Sequence, residues 1–430
     1  MSFLSRLFKR FPPREQLVVD VANELKRRGL TGGSYDHQGY AITVGSATIG
    51  LNNLFLEWRL LGRRDKASLV KRWLDATLDG LKPSPLGSYG QVAEKLVPLV
   101  RSRPDICLKL LNNQSVGAPA GNSAETAWAP FVGDLVTAVG IDDKNGIASV
   151  LRANLDHLGV GLDAAFQRAL DNFRKQAPRL VFVEIGQGLP RGVFHSESAS
   201  DYQSSMLLLP DRFPHLPEES GDPIVSVPGR NSMWMTGSRN EAAISALLDI
   251  GEKSLNSVHH RCSTELLRLQ TGTWTPFVPD SNEHLRNKYQ ALLKKQEAVN
   301  YGQQTALLNK LLQMRGEDIY VGQSNLLVNG DHTKSWTAWA SHADSMLPRA
   351  DFIVLVEQIV DPSSGRATGS RGSIEVAWNE AFPFVHDLME EVADIYPPRY
   401  RVRRFPDGAT LSQLERRGIR HPGKPSKPAS

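Results

Sequence analysis

From His284 to Met314, Leu285, Tyr289, Leu292, Leu293, Val299, Leu307, Leu308, Leu311 and Leu312 recur at three- to four-residue spacing. That is the period of one face of an α-helix. Only Gly302 interrupts the run, and an isolated glycine costs about 1 kcal/mol against alanine without ending a helix that packing supports. The spacing predicts one long helix, continuous or bent only at Gly302. It opens a second structural unit, because the chain beyond it turns to strands: residues 319–328, 335–340, 352–360 and 373–376, a helix near residues 384–393, and a last strand near residues 400–405.

The chain before the helix reads as mixed α and β. Pro12-Pro13 opens a helix over residues 14–28 that Gly29 stops. Tyr40, Ile42 and Val44 alternate as in a half-buried strand. Leu51, Leu54, Phe55 and Trp58, then Leu69, Val70, Trp73, Leu74 and Leu78, form two amphipathic stripes. Residues 106–111 read as a buried strand and residues 131–141 as another, with Gly133-Asp134 inside it. Helices are expected over residues 150–158 and 162–173, and a strand over residues 180–185. A strand pair spans residues 224–227 and 232–236, bent at Pro228-Gly229. Asn240 caps a further helix, and residues 266–269 and 274–278 close a hairpin around Thr271-Gly272. The fold class is α+β: mixed sheets flanked by amphipathic helices, then a long helix and a second strand-rich α+β unit. Domains are expected over residues 14–280 and 281–410, with a disordered basic tail over residues 411–430.

That tail rests on charge. Nine Lys and Arg between Arg399 and Ser430 face only Asp407 and Glu415, so +7 of charge sits there while the whole chain carries +4. Pro422 to Ser430 lacks apolar side chains that would offset the entropy of ordering. A basic tail on a near-neutral body is not a nucleic-acid-binding face, so contact with nucleic acid is limited to weak attraction by the tail. The composition, 40% hydrophobic and 22% charged, is that of an ordinary globular chain. No apolar run approaches the ~20 residues of a membrane span. Two cysteines, Cys107 and Cys262, make no disulfide framework, so a soluble cytoplasmic protein is expected.

Over residues 14–280 the chain resembles an uncharacterised bacterial family, domain of unknown function 1444. The resemblance is carried by Phe131-Val132-Gly133-Asp134-Leu135, by Ala169, Leu170 and Asn172, by Asp201-Tyr202 through Met206-Leu207-Leu208, and by Gly221 through Asn231. Asn231 stands where that family commonly has an aspartate. The resemblance implies a fold and no activity.

Candidate ligand-binding residues are Asp134, Asp201, Arg230 and Asn231. Arg230 and Asn231 follow a strand, where a rigid sheet holds binding groups, and arginine grips carboxylate or phosphate through two parallel bonds. Asp134 is a carboxylate in an apolar strand, costly there unless paired. Arg230 is either its salt-bridge partner or a clamp on an anionic ligand. His259, His260 and Cys262, and Asp331-His332 with His342 and Asp344, match no metal-ligand spacing. Gly186-Gln187-Gly188 lacks the rest of a dinucleotide fingerprint. No cofactor or metal is expected. Trp336, Trp339 and Trp378 serve either the core or an interface. The expectation is a non-catalytic interaction or regulatory module, binding an unidentified protein partner or a second copy through residues 281–410. The alternative is an enzyme or binder of an anionic ligand using Arg230 with Asp134 or Asp201.

Overall fold

The computed structural model describes residues 13–30, 33–36, 41–44, 47–80, 87–115, 125–143, 146–177, 179–186, 188–197, 202–257, 261–330 and 332–423. The fold is α+β. At the start, helices Pro13–Arg27, Asn52–Trp58 and Arg63–Gly80 bury Leu17, Val21, Leu54, Trp58 and Leu74 beside a small antiparallel sheet carrying Ile42.

The next layer is antiparallel. Strands Leu96–Ser102 and Trp128–Val132 flank Leu135–Asp143. Helix Leu162–Gln176 packs on this sheet through Ala165, Ala169 and Phe173. Asn172, otherwise an uncomfortable buried amide, donates to the carbonyls of Ala93 and Leu96. A six-stranded sheet follows, with Pro223–Gly229 between Leu266–Gln270 and Ser232–Gly237, covered by helix Glu241–Ser257.

The long helix runs unbroken over Glu283–Arg315. The Asn282 side chain accepts from the His284 and Leu285 N–H groups, and Gly316 ends it in the left-handed conformation at φ 67°. An added Cβ at Gly302 would meet nothing within 4 Å, so the glycine sits on the open side and leaves the helix intact. The two halves serve different cores. Leu285, Tyr289 and Leu292 pack with Ile244, Leu247 and Leu266, whereas Leu308, Leu311 and Leu312 pack with Leu111, Val321 and Met346. Beyond the helix lie a five-stranded mixed sheet, Asn325–Asn329 to His332–Ala340 to Phe352–Val360 to Ala367–Ala377 to Ile419–Pro422, and a four-stranded sheet built on Ser345–Pro348 and Arg399–Val402. Among the described residues no helix is long and apolar enough to cross a membrane.

Several expectations are corrected. Residues 106–111 are not a strand but part of helix Arg103–Ser115, which lies against the long helix and sends Leu111 into its core. A short apolar run does not distinguish a strand from a buried helix, and Pro104 in the first turn was the usable signal. Gly133-Asp134 is not inside a strand: it is the two-residue turn between Trp128–Val132 and Leu135–Asp143. Residues 319–328 divide into strands Tyr320–Val321 and Asn325–Asn329, and the late helix is Trp378–Val385, ahead of its expected place.

Residues 411–423 do not belong to a disordered tail. Helix Gly408–Glu415, capped by the Asp407 side chain on Thr410 N–H, buries Leu414 completely. Strand Ile419–Pro422 then pairs antiparallel with Ala367–Ala377. Arg420 bonds Glu415 and lies 3.5 Å from Glu357, and Arg417 stands 4.3 Å from the Phe384 ring centroid. Backbone pairing at a sheet edge needs no apolar side chain, which is why composition missed it. Residues 424–430 lie outside the described residues. Deleting residues 416–430 is expected to lower the melting temperature by about 3 °C or more, since roughly 1 kcal/mol moves it 2–4 °C in a cooperative unit of about 150–250 residues. Thermal unfolding checks this, and an unchanged midpoint would contradict the packed edge.

Candidate functional site

A cleft of about 970 Å³ opens where the long helix passes between the two parts of the chain. The helix supplies Asn287, Gln290, Lys294, Gln296, Glu297 and Asn300; the first part supplies Asp134 and Glu265; the second supplies Lys334, Arg349, Asp351 and residues 396–398. Asn287, Gln290, Lys294 and Glu297 recur at three- to four-residue intervals, so a polar stripe faces the cleft while the apolar stripe faces the cores.

The closed end is built around two carboxylates. Asp134 sits in the tight turn after Gly133, and its N–H donates to Glu265 Oε2 at 2.9 Å. Gly133 adopts φ 58°, and a Cβ there would collide with the Glu265 carboxylate, so both the turn and the close approach require glycine. Glu265 is placed by its own strand entry, where its N–H donates to Ser263 Oγ at 3.0 Å. Gln296 closes the arrangement from the long helix: its Nε2 donates to Asp134 Oδ2 at 2.8 Å while its Oε1 accepts from Thr264 N at 2.7 Å.

Asp134 is only 6% exposed, and its Oδ1 has no hydrogen-bond donor among the described residues. Neither Asp134 nor Glu265 has an ion-pair partner among them. Burial, then the neighbouring Glu265 charge, raise the Asp134 carboxyl to about 7, against the pull of Ser263 and Gln296. Burial also raises Glu265. Two neighbouring carboxyls with no ion-pair partner do not both ionise cheaply, so the pair keeps a proton to higher pH than a free carboxyl would.

The open end is cationic. Lys294 is committed, bonding Asp351 at 2.5 Å. Although burial works against it, that bond and those from Ser335 hold the Asp351 carboxyl below the usual range. Lys334 lies 4.9 Å from the Phe352 ring centroid, and Lys334 and Arg349 have no ion pair among the described residues. Trp378 contributes to the wall and packs on Phe382 and Tyr400. Trp339 is core.

Of the residues singled out in the sequence, Asp134 lines the cleft and Arg230 and Asn231 do not. Arg230 lies in the turn between Pro223–Gly229 and Ser232–Gly237, with its Nε buried and without an acceptor among the described residues. It is not the partner of Asp134, whose charged neighbour is Glu265. Asp201, His259, His260 and Asp331 lie outside the described residues. Glu265, Gln296, Lys334 and Arg349 were missed. The polar stripe on the long helix was legible; the meeting of Asp134 with Glu265 across 131 positions was not. Burial raises the Cys107 thiol to about 11 and the Cys262 thiol to about 12, so neither is an activated nucleophile. Comparison with known proteins finds no counterpart: no family model, curated protein or solved structure matches the chain.

Because the Asp134 proton affinity is raised by folding, its contribution to stability is fully present below about pH 4 and is lost as pH rises to about 7. Asp134→Asn keeps an acceptor for Gln296 and removes the charge. The variant is expected to match wild type near pH 4 and to exceed it at pH 8 by roughly 1–4 kcal/mol, at ~1.4 kcal/mol per pKa unit. Denaturant midpoints across that range provide the check; a variant less stable than wild type at pH 8 would show that the carboxylate is paired.

Proposed function

We propose that this protein is a non-catalytic regulatory module whose cleft binds a small dipolar ligand. The observation that carries the reading is one cavity with uncompensated charge of both signs: Glu265 backed by Asp134 at its closed end, Lys334 and Arg349 at its mouth. A ligand with a donor-rich group at one end and an anionic group at the other satisfies both. The volume suits a compound of tens of heavy atoms, within the range of small-molecule sites. Binding is favoured over catalysis because Lys294 is neutralised by Asp351, and both thiols lie off the cleft with raised proton affinity.

The test is thermal unfolding against a panel of dipolar compounds, each alongside analogues carrying only the cationic or only the anionic group. Dipolar members are expected to raise the melting temperature, since ligand at 100 times Kd adds ~2.7 kcal/mol to stability. Lys334→Glu combined with Arg349→Glu should abolish the effect. Dipolar compounds that leave the midpoint unmoved at about 10 mM, ten times the concentration that half-saturates a 1 mM site, would count against the cleft as a ligand site.

A further inference from the structure

The closed end of the cleft is short of one positive charge. Glu265 Oε2 accepts from the Asp134 N–H at 2.9 Å, so a backbone bond holds the Glu265 carboxylate beside Asp134. Among the described residues, none of the charged and titratable groups facing them from each packed element forms an ion pair with either carboxylate. From the long helix come Tyr289, whose hydroxyl accepts from Leu266 N–H at 3.2 Å, and Glu297, itself an acid raised by burial. Lys294 on that helix is held by Asp351. From the helix start after the sheet comes Arg103, whose guanidinium lies 4.1 Å from the Tyr396 ring centroid and 5.5 Å from that of Trp128. Tyr396 and Cys262 complete the surroundings, both pushed up by burial, with Asp134 adding to the rise. A second sign of the deficit is Asp134 Oδ1, buried and accepting no hydrogen bond at bonding geometry among the described residues, with the neutral Ser263 hydroxyl and Gln296 amide steadying the carboxyl.

We propose that Glu265, with Asp134 sealed behind it, is a seat for an amine or amidine cation, and that seating the cation expels the proton shared by the two carboxyls. The inference rests on the cleft being a ligand site and names the chemistry of its closed end. A neutral donor would satisfy an oxygen and leave the repulsion between the carboxylates in place. A cation removes it, and an amidinium also matches carboxylate geometry with two parallel N–H groups. The proton leaves to solvent as the cation enters, so net charge at the site is conserved and affinity follows pH.

Benzamidine serves as the cationic probe and benzoate as its anionic counterpart, both measured by calorimetry on the full chain in buffers of different ionisation enthalpy. Benzamidine is expected to bind about tenfold more tightly at pH 8 than at pH 6, with a proton released at pH 6 and almost none at pH 8. Glu265→Gln, which keeps an acceptor for the Asp134 N–H, should abolish binding. Asp134→Asn should retain binding while losing the pH slope and the proton release, a pairing that a merely destabilised fold would not give. Benzamidine affinity that is flat with pH, or unchanged by Glu265→Gln, would overturn the proposal. If dipolar or anionic compounds bind in a Lys334-dependent manner while benzamidine does not, the cation seat fails and the cleft reading stands. If no compound of any class binds, both fail.

Discussion

The arrangement around the cleft depends on one buried cation, Arg399. It is fully buried and has no carboxylate partner among the described residues: its Nε donates to Gln304 Oε1 at 2.8 Å, Nη1 to the carbonyls of Gly322 and Met346 at 2.8 and 3.2 Å, and Nη2 to Tyr301 O and Thr305 Oγ1 at 3.1 and 2.8 Å. Burial lowers its pKa to about 10, which leaves it charged at neutral pH. A buried charge is tolerated when its donors are satisfied, and neutral acceptors placed in the guanidinium plane do this without a counter-ion. Three of those acceptors are on the long helix, so the strand carrying Arg399 is fastened to that helix at a fixed position.

The same contacts set the far wall of the cleft. Tyr301 Oη donates to Pro398 O and Gln304 Nε2 to Pro397 O, which pins residues 397 and 398, both lining the cavity, to the helix. One turn and a half earlier, Gln296 reaches the other way to Asp134. A single rigid element therefore fixes both the carboxylate end and the opposite wall, and the turn and bend residues of the site are tied to packed helix rather than left free.

Elements governed by local rules were legible in the sequence. The long helix follows from its apolar period, its Asn282 cap and its Gly316 stop; the hairpin from Leu266–Gln270 to Thr273–Phe277 follows from Thr271-Gly272. Features decided by distant partners were not. Arg399 stands in a stretch rich in arginine and reads there as a surface charge, because only the fold brings Gln304, Gly322 and Thr305 around it. The last strand, Ile419–Pro422, docks by backbone bonds, and its signal was Gly418 and Gly423, where a Cβ would strike the carbonyls of Glu375 and Ser370. Asp134 drew notice as a charge among apolar residues, but its partner proved to be a second carboxylate and not Arg230, and one sequence carries no trace of a pairing across 131 positions.

The central claim is that Asp134 and Glu265 form a proton-holding pair at the closed end of a preformed cleft. Carbon-13 NMR of the side-chain carboxyls, followed from pH 3 to pH 9 in the ligand-free protein, tests it most directly. The account predicts that the Asp134 carboxyl shift changes with a midpoint near neutrality, and that Glu265→Gln moves this midpoint down. A midpoint at the ordinary aspartate value near 4, unaffected by Glu265→Gln, would contradict it.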